Sequence, residues 1–175
     1  MRESTSFHPA ASYDGIVKKV TVATWILLIG ESLFFIYLFL FAIPLSSLGI
    51  ILAVFISSIS LIVLLIPYLF KPSGFTLTSE DLKIERPLNT ITIPYNQIVH
   101  IQKGKWTWKA VRLGGSGGLY GYLGLFHLFG IGRVWMYTTN RHKMVLIETN
   151  IGTKYAFSPE NLEDFVSQLQ KKVTE

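Results

Sequence analysis

Residues 20–70 carry a single charged side chain, Glu31, and contain no Lys, Arg, Asp or His. A helix needs about 20 apolar residues to cross roughly 30 Å of hydrocarbon. This stretch holds two such runs, 20–43 and 48–70. Pro44, Leu45, Ser46 and Ser47 between them read as a tight hairpin turn, because proline has no N–H with which to continue the first helix. Two fully buried core helices would need far more surrounding chain than 175 residues supply. The pattern predicts a transmembrane helical hairpin over 20–70.

The first apolar run is too long for the h-region of a signal peptide, a second run follows at once, and no small-residue cleavage pattern closes the first. Residues 1–19 read as a short polar lead expected to be mobile. Lys18 and Lys19 precede the first run and Lys71 follows the second, while the turn is uncharged. By the positive-inside rule both ends of the hairpin face the cytoplasm. The expected location is the cell membrane, with two spans and both termini cytoplasmic. Only 15% of residues are charged, against about 25% in ordinary soluble domains. The absence of cysteine excludes a disulfide framework, a Cys-based metal site and a cysteine nucleophile. A net charge of +5 favours an anionic partner.

From residue 71 the pattern changes. Phe75/Leu77, Leu82/Ile84 and Ile91/Ile93 alternate with period two. Further strands are expected at 98–102, 134–137, 143–149 and 154–157, the last two as a hairpin across Asn150, Ile151 and Gly152. Then Ser158 reads as a helix N-cap with Pro159 at the first helical position. Leu162, Phe165, Val166, Leu169 and Val173 form a stripe at helical spacing. Glu163 and Asp164 lie at its start, Lys171 and Lys172 at its end, as the helix dipole favours.

The order of Ile93-Pro94-Tyr95-Asn96-Gln97-Ile98 with Ile101, a glycine-rich passage over 114–132, and Ser158-Pro159-Glu160-Asn161-Leu162-Glu163-Asp164-Phe165 resembles the prokaryotic pleckstrin-homology-like (PH-like) membrane proteins. The resemblance covers about residues 74–173. It implies a partly open seven-stranded antiparallel barrel or sandwich closed by the C-terminal helix, and it carries over no catalytic residue.

The glycine-rich segment lacks the Gly-Lys-Ser/Thr of a P-loop and the spacing of a dinucleotide fingerprint. It reads either as a long flexible connection between strands or as an interfacial loop, and the two readings are compatible. Between Glu85 and Glu148 there is no acidic residue, but there are Arg86, Lys103, Lys105, Lys109, Arg112, Arg133, Arg141 and Lys143. Lys103, Lys105, Lys109 and Arg112 interleave with Trp106 and Trp108, and Trp135 follows the segment, a mixture suited to an anionic lipid surface or an acidic protein partner. A nucleic-acid patch would use the same residue types, but the membrane tether argues against it. An ordinary solvated basic face is the remaining alternative.

Glu31 falls near the middle of the first span, at the depth of Ser57, Ser58 and Ser60 in an antiparallel hairpin. A buried carboxylate there is costly. It reads as a helix-packing hydrogen bond to one of those serines, within or between chains, or as a proton or cation site in an oligomeric pore. His8, His100, His127 and His142 are scattered, without metal-ligand spacing, and no catalytic set is suggested. No cofactor and no metal are expected. The sequence predicts an α+β membrane protein: a transmembrane hairpin, then a cytoplasmic PH-like domain over 71–175. Its expected role is a non-enzymatic binding or scaffolding module at the membrane surface, alone or as a homo-oligomer. The alternative is a subunit of a transport or channel assembly built on Glu31.

Overall fold

The computed structural model describes residues 9–39, 47–104 and 110–174. Helix α1 spans Gly15–Tyr37 and α2 spans Ser47–Phe70. Both are long and apolar enough to cross a bilayer. The expected turn at 44–47 lies outside the described residues, apart from the backbone of Ser47. Helix α1 starts five residues before the apolar run because Asp14 caps it, its Oδ1 accepting the Val17 N–H at 2.8 Å. The flanks of both helices point outward, with Leu27 71% and Leu61 63% exposed. A polar contact joins them: the Ser60 hydroxyl donates to Glu31 Oε2 at 2.8 Å.

The domain that follows holds two sheets among the described residues. Strands β1 (Gly74–Leu77), β2 (Asp81–Glu85) and β3 (Ile91–Pro94) form an antiparallel meander. A single 3-10 turn, Tyr95–Gln97, leads to β4 (Ile98–Gly104). Then come β5 (Ala110–Gly117), β6 (Tyr122–Leu128), β7 (Gly132–Thr138), β8 (Met144–Thr149), β9 (Lys154–Phe157) and helix α3 (Leu162–Thr174). These six strands are ordered β4-β8-β9-β7-β6-β5.

Burial follows this layering. In β2, Leu82 and Ile84 are buried while Asp81, Lys83 and Glu85 are not, as period two requires of a sheet with one face covered. In β8, Met144, Val145, Leu146 and Ile147 are all buried, because the larger sheet is covered on both faces. One face packs on β1–β3 and α3 around Phe75, Phe157 and Phe165, whose ring centroids lie 5.2–6.2 Å apart. The other face gathers Tyr122, Phe126, Val134, Met136 and Leu146 around Val17 of α1. Each fully buried ring or aliphatic side chain contributes about 1.5–3 kcal/mol. The expected stripe on α3 is in place, with Phe165, Val166 and Leu169 buried.

Five expectations require correction. The described domain has nine strands rather than seven, because the glycine-rich segment forms the β5–β6 hairpin. It is two sheets and not a closed barrel, since β4 and β5 lie at opposite ends of the larger sheet. It is not wholly antiparallel either, for β9 sits between β8 and β7 and runs parallel to β7. Ser158 does not cap α3, which begins at Leu162. Its buried hydroxyl instead accepts from the backbone N–H groups of Thr139 (2.9 Å) and Asn140 (3.2 Å). Finally, the polar lead is bonded to the domain from Pro9 onward. Pro9 C=O accepts from Phe75 N–H (3.1 Å), Ser12 N–H donates to Ser158 C=O (3.0 Å), and Asp14 N–H donates to Thr139 C=O (2.9 Å).

Candidate binding site at the junction of helices and sheet

The helices join the domain through side chains from both ends of the hairpin. Asp14 is buried, and its Oδ2 accepts from the backbone N–H and Nε of Arg141, each at 3.2 Å. Burial pushes the Asp14 carboxyl up, but the hydrogen bonds from Val17 and Arg141 and the Arg141 charge outweigh it, leaving the group below the usual carboxylate range. The Arg141 guanidinium also lies 5.5 Å from the Tyr122 ring. Leu69 C=O, at the end of α2 where carbonyls lack helical partners, accepts from Leu88 N–H at 3.1 Å.

The tip of the β5–β6 hairpin reaches the same place. Tyr120 holds a left-handed conformation (φ 58°) that costs a non-glycine residue about 1 kcal/mol or more. Its N–H donates to Thr21 Oγ1 at 2.9 Å, and its ring meets Tyr68 edge-on at 5.7 Å. The Lys71 ammonium lies 4.5 Å from the Tyr68 ring centre, and the Arg86 guanidinium lies between the rings of Phe70 (5.4 Å) and Tyr137 (5.0 Å).

Between α2 and the β5–β6–β7 part of the sheet lies a groove of about 740 Å³. Its helix wall includes Ile62, Ile66 and Phe70, and its sheet wall includes Leu123, Leu125 and Trp135. Arg112 and Ser116 also line it, with glycines at 114, 115, 117 and 124. The Ser116 hydroxyl is turned to Leu119 C=O at 2.8 Å. Tyr137 also lines it, and burial pushes its phenol up.

The fold separates the basic residues that the sequence groups together. Arg141 is engaged with Asp14, Arg86 with two rings and Asn89, and Lys103 on β4 with Glu163 of α3. Arg112 is exposed on β5 and lines the groove. Lys105, Trp106, Trp108 and Lys109 lie outside the described residues. Of the intramembrane serines considered, Ser60 meets Glu31, whereas the Ser58 hydroxyl donates to Val54 C=O of its own helix at 2.7 Å. Ser57 is half-buried on α2. Glu31 Oε1 is buried and has no hydrogen-bond partner among the described residues.

His8 lies outside the described residues. His127 packs against Phe129, His100 Nε2 is 3.4 Å from Gln102 Oε1, and the His142 N–H donates to Asn140 Oδ1. Among the described residues no three His, Cys, Asp or Glu side chains are grouped to hold a metal ion.

Sequence reasoning missed the Asp14–Arg141 clasp, the Tyr120 turn and the groove. Asp14, six residues ahead of the apolar run and just before Ile16 and Val17, was a readable N-cap signal. The groove had no local signal, because it combines residues some 50 positions apart in the chain.

No match was found among curated proteins or among solved structures. The family described as Bacterial PH domain matches residues 73–173, which takes in every strand from β1 to β9 and nearly all of α3. The match covers more than half of the chain and agrees with the layering described above, so the chain belongs to the Bacterial PH domain family.

Proposed function

We propose that the chain is a membrane-anchored, non-enzymatic binding module. The α1–α2 hairpin crosses the bilayer with both ends on the cytoplasmic side, and the domain works at the membrane surface. One observation carries this reading: the domain is clasped to the helix ends through Asp14–Arg141 and Tyr68–Tyr120 rather than hung on a linker. A domain held so close needs only modest affinity for the surface, since tethering supplies a high effective concentration. Lys18, Lys19 and Lys71 flank the helices, and Lys105, Lys109 and Arg112 add to the positive charge of the β4–β5 region. Each cation near an anionic leaflet contributes about 1 kcal/mol. The partner is anionic lipid, or an acidic protein at the same surface.

The test uses the full chain in nanodiscs, with amine-reactive labelling of Lys105 and Lys109 read by mass spectrometry. Discs of anionic lipid should protect these lysines at low salt, and neutral discs or high salt should not. Equal labelling in all conditions would refute the lipid-surface reading and leave the acidic protein as partner.

The transport reading keeps a supporting observation: Glu31 Oε1 is buried without a hydrogen-bond partner among the described residues. Glu31→Gln preserves an acceptor for Ser60 but removes the titrating proton. Under the binding-module reading this variant keeps its function and shows no change in proton or ion flux across reconstituted vesicles. A wild-type flux that disappears in the variant would favour transport.

A further inference from the structure

The groove between α2 and the sheet is apolar along its length and basic at one place. Ile62, Ile66 and Phe70 are exposed on α2, so the groove is continuous with the outward apolar face of that helix. Its glycines bring backbone without side chain to the lining: a Cβ added at Gly114 would meet no atom within 4 Å. The volume lies within the ~300–1,000 Å³ typical of small-molecule sites. Arg112 runs along this lining, its Nη1 3.6 Å from where a Cβ on Gly117 would be. Among the described residues no carboxylate pairs with it.

We propose that this groove holds one anionic phospholipid of the cytoplasmic leaflet, an acyl chain along Ile62, Ile66 and Leu125 and the phosphate on Arg112. The inference rests on the membrane anchoring argued above. Two features select this occupant. The groove opens from the lipid-facing side of α2, so in the anchored chain acyl chains are its immediate surroundings at very high local concentration. The cation lining it among the described residues is a guanidinium, whose planar fork of donors matches phosphate oxygens two at a time. Acidic residues are absent from the whole stretch between Glu85 and Glu148, so the sequence around β5–β7 offers nothing to repel an anion.

The experiment extracts the full chain from membranes in mild detergent and counts phospholipid on the intact protein by native mass spectrometry. A single phospholipid should remain bound, with phosphatidylglycerol preferred over phosphatidylcholine on exchange. Gly114→Phe fills the groove at a position with ordinary φ and open space, and should lose the lipid while keeping its circular dichroism and melting temperature. Arg112→Gln should keep a lipid but lose about tenfold in headgroup preference, as one charge-assisted hydrogen bond predicts. Retention of lipid by Gly114→Phe, or a wild-type lipid with no headgroup preference, would overturn the proposal. So would a lipid-free dimer that Gly114→Phe splits, which would make a second copy the occupant. Recovery of the chain from the soluble fraction refutes the anchoring, and the groove proposal with it; a membrane-extracted chain without lipid refutes the groove proposal alone.

Discussion

The Asp14 carboxylate caps α1 with one oxygen and receives Arg141 with the other, so a single side chain fixes both the start of the helix and its seat on the β7–β8 connection. Its pKa is lower in the folded chain than in the unfolded one. The stability it contributes is therefore present above the unfolded value of about 3.9 and lost as pH falls through the lower folded value. The melting temperature of the wild type in detergent should exceed that of Asp14→Asn at pH 7, and the gap should close below about pH 4. A gap independent of pH would mean that the ionised form is not what binds. Asp14→Ala removes the cap and leaves Arg141 without this counter-charge, at an expected cost of about 2–3 kcal/mol in chemical denaturation.

At the scale of elements the β5–β6 hairpin depends on a pair of glycines. Gly115 has φ +109°, and a Cβ there would lie 2.0 Å from Leu123 C=O; Gly124 opposite has φ +112° and the same crowding from Gly114 C=O. Gly115→Ala should destabilise the chain by about 1–3 kcal/mol, whereas Gly114→Ala, one residue away, should change the melting temperature little. Equal effects would place the strain elsewhere. The α1–α2 hairpin is tested through its connection: in a chain without native cysteine, Ser46→Cys should react with an impermeant thiol reagent on intact spheroplasts. Labelling only after lysis would invert the topology. The helices were legible from their length and lack of charge, β2 and the α3 stripe because apolar spacing there has one period and one covered face, and the β8–β9 hairpin because Asn150, Ile151 and Gly152 separate two apolar runs. The β5–β6 pair was not, because glycines interrupt the alternation and apolar residues such as Leu123 and Phe126 occur on both faces. Ser158 misled because a serine before Pro159 looks the same whether its hydroxyl serves α3 or the neighbouring Thr139.

For the whole molecule, the candidate site was legible only as charge. The run from Lys103 to Arg112 is visible in the sequence, but which cations the fold uses internally is decided by long-range partners: Asp14 for Arg141, Glu163 for Lys103, and the rings of Phe70 and Tyr137 for Arg86. The backbone bridges at Ala10–Gly74 and Ala11–Pro159 have a different consequence. Residues 9–14 belong to the domain although the two long helices separate them from it, so the hairpin is an insert within a discontinuous unit. A fragment of 71–175 should be about 2–3 kcal/mol less stable than the same fragment with 9–14 joined to its start by a short linker, because Phe75 N–H, Ser158 C=O and Glu160 N–H lose their partners. Equal denaturation midpoints would show that the segment adds nothing. In a ribosome-bound chain the same arrangement sets an order of events: Pro9 and Ala10 can meet β1 once both helices are made, but Ala11 and Ser12 must wait through the nine described strands before Ser158 and Pro159 arrive to hold them. The domain thus closes last at its own beginning, and insertion of the hairpin precedes completion of the unit that it interrupts.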